Sequence, residues 1–232
     1  MSSVIAPFIA IDGPVASGKT VAGKILAGRL GHAFLDTGVM YRAVTYLALQ
    51  QLIPLDDPEA LTGIMASSGL RLTRNAGEEC RVLVNSGDIT DKLRSSEVDR
   101  SVSIVSAVPG VRKLLVELQR EIATLGQVVM VGRDIGTVVM SGAGLKVYLD
   151  ASVTERASRR YRQLQQSGSE ISYQTVLDDL TRRDYLDSSR ELAPLKQADD
   201  AIHLLTDDLN LDQVVDRLEE MARGKTPWRL GT

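Results

Sequence analysis

Short runs of apolar residues alternate along the chain with longer stretches in which apolar residues recur every three or four positions. The short runs are typical of buried strands, and they lie at residues 7–11, 32–36, 127–131, 145–150 and 201–206. The longer stretches predict helices at residues 21–30, 43–52, 109–125 and 211–221. Strands that alternate with helices indicate an α/β fold, in which helices cover both faces of a parallel sheet.

Residues 67–107 follow a different pattern from the rest of the chain. Polar and apolar residues alternate in two short stretches, which predicts half-exposed strands at 70–73 and 81–84. A turn is expected between them at 75–79, and residues 86–88 are expected to end the second strand. The segment therefore predicts a small antiparallel insertion. The predicted core comprises residues 1–66 and 108–232.

A glycine-containing loop separates the first predicted strand from the first predicted helix, and it matches the P-loop pattern Gly-x-x-x-x-Gly-Lys-Thr. Gly13 and Gly18 allow backbone N–H groups to approach phosphate oxygens closely, at the positive end of the helix that follows. Lys19 adds a full charge near the β- and γ-phosphates, and the Thr20 hydroxyl is suited to hold Mg²⁺. The ATP-binding residues predicted from the pattern are Gly13, Pro14, Val15, Ala16, Ser17, Gly18, Lys19 and Thr20.

Polar residues also follow two other predicted strands, at the sheet edge where α/β folds bind ligands. They are Asp36, Thr37, Tyr41 and Arg42 after the second strand, and Arg133 and Asp134 after the strand at 127–131. Arg42 is available to pair with a second anion beside the P-loop. Two alternatives stay open, namely a surface Tyr41–Arg42 pair and a local ion pair between Arg133 and Asp134.

A helical segment over about residues 154–190 carries two groups of arginines with polar residues on all sides. The arginines are Arg156, Arg159, Arg160, Arg162, Arg182, Arg183 and Arg190. Two such helices joined by a polar turn at 165–170 predict a lid over phosphates. A solvated helix pair is the first alternative. A nucleic-acid surface is the second, but aromatic residues are only 4% of the chain, which leaves few platforms for base stacking.

The composition fits a globular protein of 232 residues, with 44% hydrophobic and 25% charged residues. The net charge of −3 gives no sign of a nucleic-acid binder, and no apolar run approaches the roughly 20 residues that cross a bilayer. Cys80 is the single cysteine, so an internal disulfide is excluded and a reducing, cytoplasmic location is expected. A monomer is also expected. Residues 226–232 are predicted to be a loose tail.

Taken together, these motifs make the chain resemble the bacterial cytidylate kinases, a family of P-loop nucleoside monophosphate kinases. The resemblance extends from about Ile9 to Leu218 and depends on several separate motifs in one order. These are Ile11-Asp12-Gly13-Pro14, Asp36-Thr37-Gly38-x-x-Tyr41-Arg42, Gly132-Arg133-Asp134-Ile135-Gly136-Thr137, and Arg183-Asp184-x-x-Asp187-x-x-Arg190 followed by Ala193-Pro194-Leu195. The P-loop alone is shared by many unrelated NTPases, whereas this combination is specific.

The resemblance implies ATP-dependent phosphorylation of CMP and dCMP to the diphosphates. It also implies a P-loop core of three layers with a parallel sheet, a small antiparallel insertion that binds the acceptor nucleotide, and a helical lid. The acceptor-binding residues that it implies are Thr37, Tyr41, Arg42, Ser103, Arg112, Arg133, Asp134, Arg183 and Asp187. Of these, Arg42 and Arg133 would hold the acceptor phosphate, Ser103, Arg112 and Asp134 the cytosine, and Arg183 and Asp187 the sugar. The catalytic residues expected are Lys19, Arg133, Arg183 and Arg190.

Two positions depart from the family pattern. Ala16 stands where relatives usually have glycine, and Val21 where they often have serine or threonine. Neither change removes the lysine or the Mg²⁺-binding hydroxyl, so we expect altered nucleotide affinity with activity retained.

The expected reaction is a direct in-line phosphoryl transfer, which depends on alignment and on charge neutralisation and needs no covalent intermediate. Asp134 has three open roles, at the base, near Mg²⁺ through water, or in orienting Arg133, and Asp36 is a weaker candidate near the metal. Three alternatives compete with this interpretation: a kinase of another small acceptor, a nucleotide-binding switch, and a nucleic-acid-binding P-loop protein. The chain lacks the Asn-Lys-x-Asp motif of guanine-specific switches.

Overall fold

The computed structural model describes residues 5–73, 80–85 and 87–224. Its strands are β1 (Phe8–Asp12), β2 (Ala33–Asp36), β3 (Arg71–Leu72), β4 (Val82–Val84), β5 (Gly87–Asp88), β6 (Val128–Gly132), β7 (Leu145–Asp150) and β8 (Ile202–Leu205). Its helices are α1 (Lys19–Leu30), α2 (Gly38–Gln50), α3 (Pro58–Ser67), α4 (Ser96–Val105), α5 (Pro109–Thr124), α6 (Val153–Gln166), α7 (Tyr173–Ser189) and α8 (Leu211–Ala222). The turn predicted at 75–79 and the tail predicted at 226–232 lie outside the described residues.

A parallel sheet in the order β2-β6-β1-β7-β8 forms the centre of the molecule. All of its neighbouring strands are parallel, and β1 pairs with β6 from Phe8 opposite Val128 to Asp12 opposite Gly132. The carboxyl ends of β1, β2 and β6 therefore meet at one edge. From β1 the chain crosses β6 to reach β2, and later it crosses β1 in the opposite direction to pass from β6 to β7. The direction of the connections thus reverses beside β1, and α/β folds bind ligands at the carboxyl edge of such a reversal.

Helices cover both faces of this sheet, because successive side chains of its strands point to opposite sides. Ile9 and Ile11 of β1 pack in one buried cluster with Leu26 of α1 and with α8. Ala10, which lies between them, packs in a second cluster with α2, α3 and Leu115 of α5. The α/β fold with a three-layer core is confirmed.

The insertion contains a small antiparallel sheet in the order β3-β4-β5. The second strand, β4, ends at Val84, before residues 86–88 as predicted. Gly87 and Asp88 form a third strand, paired with Val84 and Leu83, that was not predicted. Asn85, which follows β4, has a φ of 54°, a conformation that asparagine tolerates in tight turns. A strand of two residues is too short to produce an alternating pattern, which explains why the sequence did not reveal it.

Two helices differ from the sequence-based expectation. Helix α2 begins at Gly38 instead of residue 43, because Asp36 Oδ1 accepts the Gly38 N–H at 2.9 Å and so satisfies a donor at the helix start. Helix α3 was not predicted, although its start carries two helix signals. Asp57 accepts the Ala60 N–H at 2.9 Å, and Pro58 occupies the first helical position.

Helices α6 and α7, the predicted lid, pack against each other. Their shared apolar cluster contains Ala157, Val176 and Leu180, and Val15 and Ala16 of the P-loop pack against it. The lid therefore contacts the P-loop directly. Across the described residues, no helix is both long and apolar enough to cross a membrane.

Candidate active site

The P-loop connects β1 to α1 at the carboxyl edge of the sheet. Gly13 has φ 149°, and a Cβ placed there would lie 2.1 Å from the backbone oxygen of Leu149, so only glycine fits. Gly18 has φ 94° and precedes the first residue of α1. The loop thus directs backbone N–H groups and the positive end of α1 to the same side, which suits a phosphate chain.

Lys19 is buried and lies across this loop. Its Nζ donates to Pro14 O at 2.5 Å and to Ser17 Oγ at 3.0 Å. Burial, together with the positive charge of Arg133, lowers the pKa of Lys19 well below its ordinary value. A phosphate chain brings negative charge to the lysine and would favour its charged form.

Thr20 and Asp36 place two oxygen ligands beside Lys19. Thr20 Oγ1 donates to Asp36 Oδ2 at 2.8 Å. Within the described ranges, no group of three histidine, cysteine or acidic residues could hold a metal by itself. One hydroxyl and one carboxylate nevertheless fit Mg²⁺ bound to a nucleotide, because that ion keeps several waters and takes its other ligands from phosphates.

Asp12, at the end of β1, connects the P-loop to the segment that follows β6. Its carboxylate accepts the Ile135 N–H at 2.8 Å and the Gly136 N–H at 2.7 Å, in a single π-helical turn at Ile135–Val139. Burial raises the pKa of Asp12 to about 6, although both backbone donors act in the opposite direction. No role for Asp12 was predicted from the sequence, although a carboxylate at the end of an otherwise apolar strand indicates a specific partner.

An ion pair between the two lid helices also contacts the P-loop, and it was not predicted from the sequence. Arg156 of α6 and Asp184 of α7 form an ion pair at 2.6 Å. Arg156 also donates to Val15 O at 3.0 Å, and Asp184 accepts the Val15 N–H at 3.4 Å. Both helices of the lid are therefore fastened to one residue of the donor loop.

A buried cluster of polar side chains lies among α2, α4, α5 and the segment after β6. Arg112 and Asp134 form an ion pair in which both side chains are 6% exposed, and Arg112 also donates to Ser106 O at 3.1 Å. The Arg112 guanidinium lies 5.6 Å from the centre of the Tyr41 ring, and burial raises the pKa of Tyr41 to about 12. Ser103 is buried on α4, where its carbonyl accepts from Ser106. This cluster combines charged and polar groups with an aromatic face, which suits the binding of a planar polar base.

Arginines of α2, α7 and the segment after β6 pair with buried or partly buried carboxylates. Arg133 pairs with Asp187 at 2.9 Å, and Arg42 pairs with Asp99 at 2.5 Å. Burial by itself would raise the pKa of Asp187, but Arg133 and the neighbouring arginines hold it below its ordinary value. Burial and the charges of Arg133 and Arg42 lower the pKa of Arg183 to about 10. The cluster therefore carries positive charge in excess of its carboxylates.

Two buried guanidinium nitrogens of this region have no hydrogen-bond partner among the described residues. They are Nε of Arg183 and Nη2 of Arg190, the latter 3.9 Å from Asp134. Buried donors are normally satisfied, so these two favour an additional acceptor such as a phosphate oxygen.

The predicted residues differ in how the structure uses them. The proposed local pair between Arg133 and Asp134 is wrong, since Arg133 pairs with Asp187 and Asp134 with Arg112. The Thr37 hydroxyl donates to Val131 O at 3.0 Å and thus fastens α2 to β6. The predicted ATP-binding residues lie in the P-loop and at the start of α1, and the predicted acceptor residues lie on or beside α2, α4, α5 and α7 and directly after β6. Asp99 is an additional member, which sequence analysis did not identify.

A parallel sheet with a P-loop after its first strand, a small insertion and a two-helix lid defines a P-loop enzyme of the kinase type. The family model for cytidylate kinase matches residues 9–224. Cytidylate kinases of Streptococcus pneumoniae (strain 70585) and Geobacillus sp. (strain WCH70) are both 46% identical over 214 residues, covering 92% of this chain and 96% and 95% of theirs. A solved shikimate kinase from Bacteroides thetaiotaomicron is 15% identical with a TM-score of 0.46, covering 92% of this chain and 97% of its own.

The chain therefore belongs to the cytidylate kinase family, and it is an enzyme. The resemblance found in the sequence motifs is confirmed.

Proposed function

We propose that this enzyme transfers the γ-phosphoryl group of ATP to CMP and dCMP, producing ADP with CDP or dCDP. One observation supports the proposal most strongly: the P-loop after β1 and the segment after β6 begin at the same sheet edge, and that segment places Asp134 in a buried ion pair with Arg112 and Arg133 in one with Asp187. This arrangement suits the acceptor base at one end and the phosphate chain of ATP at the other, with the acceptor phosphate and the transferred γ-phosphoryl group between them.

On the acceptor side, Arg42 and Arg133 would hold the phosphate of the monophosphate. Arg112, Asp134 and Ser103 would bind the edge of cytosine, because the charged pair supplies both donors and acceptors to a planar amide-like group. The Tyr41 ring, which lies beside Arg112, would form one side of this base-binding site. Arg183 and Asp187 would contact the sugar.

On the donor side, the backbone N–H groups of the P-loop from Val15 to Thr20 would bind the phosphate chain, with Lys19 near the transferred group. Mg²⁺ would be held by Thr20, with Asp36 close to its water ligands, and it would neutralise part of the charge of the phosphate chain. Lys19 would have to leave Pro14 O and Ser17 Oγ, so that its three N–H donors turn toward phosphate oxygens.

The transfer itself would need no protein nucleophile. An oxygen of the acceptor phosphate attacks the γ-phosphorus, the bond from that phosphorus to the ADP oxygen breaks, and no proton has to move if the acceptor is a dianion. Arg133, Arg183 and Arg190 would stabilise the transferring group, and closure of the lid on the P-loop would exclude water and limit ATP hydrolysis. We also propose that the enzyme acts as a cytoplasmic monomer without a nucleic-acid partner.

The test is a coupled ADP-release assay with ATP and each of CMP, dCMP, UMP and AMP. Fast turnover with CMP and dCMP, slow turnover with UMP and AMP, and loss of turnover on chelation of Mg²⁺ are expected. Equal rates with all four acceptors would contradict the assigned base pocket, and no turnover with any of them would contradict the proposal as a whole. A γ-phosphorus made chiral with sulfur and oxygen isotopes should be transferred with inversion, as a single in-line displacement requires.

A further inference from the structure

Asp99 lies on α4, in the insertion, and it contacts arginines of three other helices. Its Oδ1 lies 2.5 Å from Arg42 Nη2 of α2 and 3.9 Å from Arg183 Nη1 of α7. Its Oδ2 lies 3.2 Å from Arg160 Nη2 of α6. One carboxylate thus joins the insertion to the core and to both helices of the lid.

The contact with Arg42 occupies a nitrogen that an acceptor phosphate would need. Arg42 Nη1 donates to Leu93 O at 3.1 Å, and Nη2 pairs with Asp99. Carboxylates and phosphates bind guanidinium groups through the same pairs of N–H donors. A phosphate that binds Arg42 must therefore share Nη2 with Asp99 or displace the Asp99 carboxylate.

The surroundings of Asp99 favour displacement by an anion of higher charge. Arg42, Arg160 and Arg183 surround a single carboxylate, and Arg183 Nε is buried without a hydrogen-bond partner among the described residues. The Asp99 side chain is 21% exposed, so it can turn toward water when another anion takes its place. A phosphate dianion supplies two charges and three oxygens, whereas Asp99 supplies one charge and two oxygens.

We propose that Asp99 determines specificity as an internal competitor of the acceptor phosphate for Arg42. Only a dianionic phosphate ester displaces it efficiently, so weaker anions are excluded from the acceptor site. The identity of the ligand rests on the proposed function, because that function places the acceptor phosphate at Arg42. If Asp99 instead held Arg42 in its binding orientation, its removal would weaken phosphate binding. The two roles therefore predict changes of opposite sign.

The experiment is isothermal titration calorimetry in the absence of ATP, so that it does not depend on turnover. Wild type, Asp99→Asn and Asp99→Ser are each titrated with CMP, inorganic phosphate and cytidine. The matched control is Glu97→Gln, an exposed residue of the same helix that loses the same charge. Circular dichroism establishes that each variant is folded, and Asp99→Ser serves if Asp99→Asn is not.

We expect the Kd of CMP and of inorganic phosphate to fall about fivefold in both Asp99 variants, as loss of one partly exposed ion pair allows. Cytidine, which has no phosphate, should bind equally to all four proteins, and Glu97→Gln should behave as wild type. Unchanged or weaker phosphate binding in the Asp99 variants would overturn the inference. If wild type binds AMP as tightly as CMP, the proposed function fails instead, and the phosphate titration still decides the role of Asp99.

Discussion

The proposed donor side and the proposed acceptor side of the site are built in different ways. The proposed donor side consists of eight consecutive residues, 13–20, and offers mainly its backbone at the start of α1. The acceptor side consists of side chains from α2, α4, α5, α7 and the end of β6, and its arginines already pair with carboxylates of the protein. The first is therefore specified locally, and the second depends on the tertiary fold and on charge balance.

This difference predicts separate consequences for substitutions. A change on the donor side should slow transfer to every acceptor by a similar factor, because all acceptors use the same phosphoryl donor. A change on the acceptor side should alter the choice of acceptor and also the stability, because it leaves a buried partner without its counter-charge.

The largest effect is expected for Lys19→Ala. We expect kcat/KM to fall by about 10²–10³, since one charge-stabilising donor near the transferred group is removed. The loss should be the same for CMP and dCMP in the coupled ADP-release assay. Lys113→Ala, an exposed lysine of α5, is the matched control and should behave as wild type. If Lys19→Ala lowered kcat/KM by different factors for CMP and dCMP, the proposed separation of the two sides would be contradicted.

Arg112→Ala should affect both acceptor choice and stability. Its loss leaves the buried Asp134 carboxylate without its closest partner, and we expect the free energy of unfolding to fall by about 3 kcal/mol in urea denaturation. The preference for CMP over UMP should also decrease in the kinetic assay.

The double variant Arg112→Ala with Asp134→Ala distinguishes two causes of the lost stability, the unpaired Asp134 carboxylate and the lost packing of Arg112. It should recover part of the stability, because no uncompensated charge is left, while the CMP preference stays low. A double variant that is no more stable than Arg112→Ala would show that lost packing, and not the isolated carboxylate, accounts for the cost.

The same contrast explains what could be predicted from the sequence. The P-loop and the five strands of the parallel sheet follow from local patterns, because apolar runs and the Gly-x-x-x-x-Gly-Lys-Thr spacing lie within single elements. The positions of Arg42, Arg133 and Arg183, at strand ends or in the predicted lid, indicated anion binding, but only the family resemblance assigned them to the acceptor phosphate or the sugar. Ser103 and Arg112 carry no local pattern at all, and they too came from the resemblance.

The partners of the buried and partly buried carboxylates could not be predicted, because the two members of each pair are distant in sequence. Asp99 pairs with Arg160, 61 positions away, and Asp12 accepts the backbone N–H of Gly136, 124 positions away. Such pairs exist only when the insertion, lid and sheet have taken their places. The two-residue strand β5 was missed for a different reason, since no periodicity can be detected over so short a length.

Asp12 connects the P-loop to the segment after β6, and its raised pKa predicts that stability depends on pH. Its pKa is about 6 in the folded protein against 3.8 for an ordinary aspartate, so the folded state binds more protons between these values. Its contribution to stability is therefore fully present below about pH 4 and is lost as the pH rises through about 6, by about 3 kcal/mol in total.

The measurement is urea unfolding at pH 4 and pH 7 for wild type and Asp12→Asn. The stability of wild type relative to the variant should be greater at pH 4 than at pH 7. Asp88→Asn is the control of opposite sign. Hydrogen bonds from Thr90 lower the pKa of Asp88, so its contribution is present at high pH and lost as the pH falls. A difference between wild type and Asp12→Asn that does not change with pH would show that Asp12 is not protonated in this range.

The smallest effect is expected for Ala16→Gly, within the donor loop. Ala16 has φ 60°, a conformation that costs an L-residue about 1–2 kcal/mol, so glycine relieves strain there. Glycine also increases the freedom of the unfolded chain and removes a methyl that packs against the lid cluster, so we expect a net change below about 0.5 kcal/mol. Gly63→Ala in α3, where an added Cβ meets no atom within 4 Å, is the matched control and should stabilise by about 1 kcal/mol. If Ala16→Gly destabilises by as much as Gly63→Ala stabilises, the backbone at Ala16 is not strained, and contact with the lid explains why alanine is tolerated in the loop.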